Sequence, residues 1–90
     1  MSTLPTVHLN GTSREMLIEG YETAYRKLIK FKHAFNTLEF NARDYYVAEP
    51  DAWSKACDER EKMMNNVKEL LEYFEAHLIH LADDYHDFQA

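Results

Sequence analysis

One cysteine, two glycines and two prolines are all that the ninety residues hold of the types that staple, bend or break a chain. The lone thiol, Cys57, cannot close an internal disulfide. It suits a reducing compartment, and such a thiol is more often a small buried hydrophobe than a nucleophile. So little Gly and Pro excludes a many-turned β fold. No apolar run approaches the roughly 18–20 residues that span a bilayer. The opening Met1-Ser2-Thr3-Leu4-Pro5 lacks a basic stretch followed by an apolar one, so no signal peptide is expected. Positive charge is scarce as well. Ten Lys and Arg against sixteen Asp and Glu leave a net charge of −6, which argues against general binding to DNA or an anionic membrane. The expected location is cytoplasmic.

What is present reads as helix. Residues 1–90 make one domain, with no room for a second core. Thr6-Val7-His8-Leu9 alternates polar and apolar residues, as a short strand or extended arm does. Thr12 followed by Glu15 has the spacing of a capping box and predicts a helix start. Leu17, Tyr21, Ala24, Leu28, Phe31, Phe35 and Leu38 then recur in alternating steps of four and three, a heptad seam. Pro50 suits a first helical turn, where its missing amide costs nothing. The second seam runs Trp53, Ala56, Arg60, Met63, Val67, Leu70, Phe74, His77 and Leu81. The expectation is an arm over 1–11, a helix over 12–40, a loop over 41–49, a helix over 50–84 and a fraying tail over 85–90.

The fold class is therefore all-α: an antiparallel hairpin of two long helices behind a short extended arm. Ile18, Tyr25, Ile29, Met64, Leu71 and Leu78 widen the apolar stripes beyond one seam. A two-helix hairpin covers only the face between its helices, so these flanks predict self-association into a four-helix bundle or a higher oligomer. Folding of the arm and tail over the flanks is the competing arrangement.

Two segments carry more chemistry than a connector needs. In Arg43-Asp44-Tyr45-Tyr46, a guanidinium offers a planar fork to phosphate or carboxylate, and two phenols offer faces to a base or sugar. The competing role is a braced turn with tyrosines packed on Trp53. In His8-Leu9-Asn10-Gly11-Thr12-Ser13, a helix start presents amides to an anion, or is a simple cap. Arg60 falls on the core seam and needs a partner; Glu39, Asp44 or a bound anion could serve. Arg26, Lys27, Lys30 and Lys32 form a local positive stretch, the usual dress of a solvated helix face. His77 and His80 have a spacing that can bind a transition metal, with Asp83, Asp84 and His86 following, but nothing completes a site. No metal, cofactor or catalytic constellation is expected, and enzymatic activity is disfavoured. The candidate ligand-binding residues are Arg43, Tyr45, Tyr46, Asn10, Gly11, Thr12, Ser13, His8 and Arg60.

These two segments, with a second helix after a proline, make the chain resemble a family of small uncharacterised proteins encoded by tailed phages. The resemblance covers nearly the whole chain in layout, and its distinctive residues lie in His8–Ser13 and Ala42–Tyr46. It implies expression in an infected bacterial cytoplasm, where short proteins of this build include inhibitors of host defence. The resulting expectation is a counter-defence protein that sequesters a small anionic, nucleotide-like signal. The alternative is an interaction module that inhibits a host protein directly. A single helix of about 40 Å would hold the two segments apart unless the arm folds back, so the expected shared site forms between antiparallel chains.

Overall fold

A computed structural model describes the backbone of residues 3–89 and the side chains of residues 3–82. Two helices, α1 (Arg14–Asn36) and α2 (Ala52–Gln89), are linked by a loop holding one 3-10 turn, Ala42–Tyr45. No strand forms among the described residues, so the alternating segment before α1 is extended arm. The molecule measures 62 × 23 × 22 Å. Tyr21 meets His77, Tyr25 meets Glu75 and Arg60 meets Phe35, so α2 returns along α1 in the opposite direction.

The helix ends differ from the expected bounds for local reasons. Ser13, not Thr12, is the last extended residue before α1, at φ −64°, ψ 154°. The Met16 amide donates to its hydroxyl at 3.2 Å, satisfying one of the open donors of the first turn. α1 stops at Asn36 instead of continuing to Phe40. The Thr37 hydroxyl donates to the Ala34 carbonyl at 2.9 Å, and the Leu38 amide turns to the Phe35 carbonyl. Phe40 thereby leaves the helix and packs on Trp53, with ring centroids 4.7 Å apart. α2 begins at Ala52, two residues after Pro50, and continues to Gln89, beyond the expected stop at residue 84.

The buried line keeps to the expected α2 seam at Val67, His77 and Leu81 and departs from it at Met63 and Leu70. Among the described residues only Val67, His77 and Leu81 are buried. Met64, Leu71 and Phe74 are half-buried, while Met63 and Leu70, which the heptad pattern places on the seam, stand outward. On α1, Phe31 is likewise exposed and Leu28 and Phe35 are not. Arg60, Val67, Phe74 and Leu81, seven residues apart, all stay inward, so the departure is confined to the Met63 and Leu70 positions. Met64 and Leu71 then take the places expected for their neighbours.

The tightest packing lies where the arm crosses the hairpin. His77 is 1% exposed, with Nδ1 2.8 Å from the Tyr73 carbonyl of the preceding turn. Its ring lies between those of Tyr21 and Tyr73, at centroid distances of 4.7 and 4.2 Å. His80 Nε2 sits 2.7 Å from the Pro5 carbonyl and so donates to it, tying the arm to α2. Burial, then the charge of Tyr73 and a hydrogen bond with it, push the Tyr21 phenol above its ordinary value. A hydrogen bond to Glu75 at 3.0 Å does the same for Tyr25.

Two outcomes follow. Leu81→Ala should lower stability in urea by about 2–4 kcal/mol, and Leu70→Ala by less than half as much; equal losses would restore the strict heptad seam. A phenol whose folded pKa is raised contributes stability that is complete below its unfolded value and is lost as pH rises through the folded one. Alkaline unfolding, followed by circular dichroism above pH 10, should therefore be less steep for Tyr21→Phe than for the parent chain.

Candidate functional site

The first candidate segment is a tight turn leading into a helix. The Gly11 amide donates to the His8 carbonyl at 3.1 Å, and the His8 ring folds over the glycine. A Cβ at Gly11 would stand 2.7 Å from His8 Nε2, so a side chain there would push the imidazole away. His8 and Gly11 thus form one unit with Ser13, the cap of α1. Val7, His8, Leu9 and Arg14 border a cavity of about 360 Å³ beside it. Asn10 and Thr12 are exposed, and Leu9 is 98% exposed, an unusual place for a leucine.

The second segment divides its residues between packing and solvent. The Asp44 amide donates to the Asn41 carbonyl at 3.1 Å, closing the 3-10 turn. This aims the Tyr45 ring at Trp53 and Phe40, at centroid distances of 5.5 and 5.9 Å. Tyr45 therefore plugs the end of the hairpin. The adjacent Tyr46 is turned outward at 74% exposure, and Arg43 and Asp44 are exposed beside it. Two neighbouring phenols thus do different work: one closes the core and the other faces solvent.

Arg60 belongs to this plug. Neither Glu39 nor Asp44 holds it in the expected ion pair. Its Nη2 donates to the Phe35 carbonyl at 3.4 Å, and its guanidinium lies over the rings of Phe40 and Phe35, 4.7 and 5.2 Å from their centroids. Where α1 ends, the Phe35 carbonyl accepts from both the Leu38 amide and Arg60, and Phe40 lies under the cation, so aromatic faces take the role expected of a carboxylate. The Glu39 carboxylate instead accepts from Asn41 Nδ2 at 3.1 Å. Sequence periodicity put Arg60 on the seam but could not identify a π-face as its partner.

The chain does not bring the two segments together. α1 separates Ser13 from the turn by its 23 residues, about 35 Å at 1.5 Å per residue. His8, Asn10, Gly11, Thr12 and Ser13 stand at one end of the hairpin, and Arg43, Tyr45, Tyr46 and Arg60 at the other. Among the described residues no three His, Cys, Asp or Glu side chains gather where a metal could bind. Asp83, Asp84 and His86 lie outside the described side chains. His77 and His80, which the spacing offered as ligands, are engaged with the Tyr73 and Pro5 carbonyls. Cys57 is a half-buried free thiol. No described helix is long and apolar enough to cross a membrane.

The Arg60 contacts predict a graded response. Arg60→Ala should cost about 1–2 kcal/mol in thermal or urea unfolding, and Arg60→Lys should recover only part, because an ammonium lacks the planar face. Asp44→Asn should change stability by less than about 0.5 kcal/mol, as expected for an exposed carboxylate. A large Asp44 effect would restore the ion pair.

No protein family, curated protein or solved structure gives a match to this chain.

Proposed function

We propose that this protein is a non-enzymatic binding protein that self-associates and sequesters a small anionic, nucleotide-like molecule, acting against host defence in a phage-infected bacterium. The observation that carries the reading is that Arg43, Tyr46, Asn10 and Thr12 all stand in solvent, outside the packing of the hairpin. A guanidinium beside an outward phenol suits phosphate and base, and open amides before a helix suit an anion. Ser13, His8 and Gly11 shape the second of these surfaces, and Tyr45 and Arg60 fix the backbone that carries the first. The phage resemblance supplies the setting, and the thin core supplies the reason to associate.

A second reading has its own support. Met63 and Leu70, one heptad apart on α2, stand at 43 and 44% exposure. An exposed apolar stripe on an acidic helix is a surface for a partner helix, so direct inhibition of a host protein is the alternative.

One experiment separates them. Purified protein is equilibrated with a small-molecule extract of infected bacteria, washed and denatured, and the released molecules are identified by mass spectrometry. The sequestration reading expects a phosphate-bearing species retained by the parent chain. Arg43→Ala and Tyr46→Ala should each reduce retention at least tenfold without loss of helicity. An empty parent chain that still acts in cells would overturn it in favour of the α2 stripe.

A further inference from the structure

The bend between the helices uses no conformation that a straight chain could not also use. Residues 37–49 hold no glycine and no proline, and no described residue has a positive φ. Thr37 and Tyr46 are in the right-handed helical region, at φ −95°, ψ 0° and φ −64°, ψ −31°, and Asn41 is extended. Both regions are open to any residue in a bent or an unbent segment. Glu49 precedes Pro50, whose ring steers it toward extended backbone. Residues 46–50 are exposed, Tyr46 and Val47 at 74 and 97%. The hydrogen bonds of this stretch are local: the Ala48 amide donates to the Tyr45 carbonyl, the Ala52 amide to the Glu49 carbonyl, and Lys55 Nζ to the Glu49 carboxylate.

The contacts that hold the hairpin together do not depend on that bend. Tyr21 with His77, Tyr25 with Glu75, Phe35 with Arg60 and Tyr45 with Trp53 lie at nearly equal distances along the chain to either side of Ala48. Two straightened chains laid antiparallel, with a two-fold axis beside Ala48, set the same residues opposite one another between copies. Such a pair also places Tyr46 and Val47 at the axis, against the same residues of the other copy. Apolar surface that the bend leaves in water is then covered.

We infer that this chain forms an exchanged dimer: residues 46–50 straighten, and α2 of each copy packs on α1 of the other through the contacts of the hairpin. Pro50 keeps the straightened stretch from becoming one unbroken helix, and an extended link there suffices. The helix contacts are common to both forms, so the balance between them rests on the bend. Opening gives up local hydrogen bonds, gains the Tyr46 and Val47 contacts, and is favoured as concentration rises. The exchange supplies a route for the self-association in the proposed function, and it rests on that part of the reading and not on the ligand. It also brings the two copies of residues 43–46 together at the middle of a rod, while the two copies of residues 8–13 go to its far ends.

The test is the distance between two spin labels on one chain, at Lys30→Cys and Asn66→Cys in a Cys57→Ser background. Both positions are exposed and lie on opposite sides of the bend. Labelled chain is diluted into unlabelled parent chain, and the dimer is isolated by size exclusion. In the closed hairpin the labels stay within about its 23 Å width. In the exchanged dimer one chain carries them roughly 50 Å apart, at 1.5 Å per residue. A dimer that shows only the short distance, or no dimer up to millimolar concentration, overturns the exchange. Bend length gives a second measure. Deletion of residues 47–49 leaves too little chain to turn back and should strengthen dimerisation at least tenfold. A run of glycines inserted after Val47 should weaken it at least tenfold, with helicity kept in both. A dimer indifferent to both changes also overturns the exchange. An exchanged dimer that retains no phosphate-bearing molecule rejects sequestration alone; a dimer of closed hairpins that retains one rejects the exchange alone.

Discussion

Two helices cannot enclose a core, and the rest of this structure answers to that constraint. Each helix offers one face to the other, and the line of contact is narrow. Val67 and Leu81 are the only apolar side chains it buries among the described residues. The hairpin strengthens its ends instead. At one end His77 lies between two tyrosine rings and His80 ties down the arm. At the other, Phe40, Tyr45 and Trp53 close the turn with Arg60 over the Phe40 ring. Between these plugs much of the apolar surface stays exposed.

The polar residues inside the hairpin are there for structural reasons. A buried imidazole and a seam arginine would be costly if left without partners. Each is satisfied by a carbonyl and by rings, acceptors that a helix end or a preceding turn supplies without a second charge. Residues that looked like ligands for metal or anion are thereby committed to the fold. The groups left over, Arg43, Tyr46, Asn10 and Thr12, lie at its two ends. The molecule thus carries exposed polar groups at its extremities and little buried apolar surface along its length.

The sequence by itself determined the two helices and their antiparallel return. The repeat of apolar residues, the hydroxyl residue before α1 and the shortage of turn formers all act locally, and local patterns are legible in one dimension. It also marked Arg43, Tyr46 and the His8–Ser13 segment as chemically unusual. Only the tertiary structure decided which neighbour faces inward. Met64 rather than Met63, Leu71 rather than Leu70 and Tyr45 rather than Tyr46 depend on helix rotation and on where the chain leaves α1. A step of one residue turns a side chain by 100°, and no pattern of residue types resolves that angle. The partner of Arg60 was hidden for a related reason. A carbonyl becomes available only where a helix stops, and α1 stops at Asn36 because Thr37 and Phe40 find better contacts outside it.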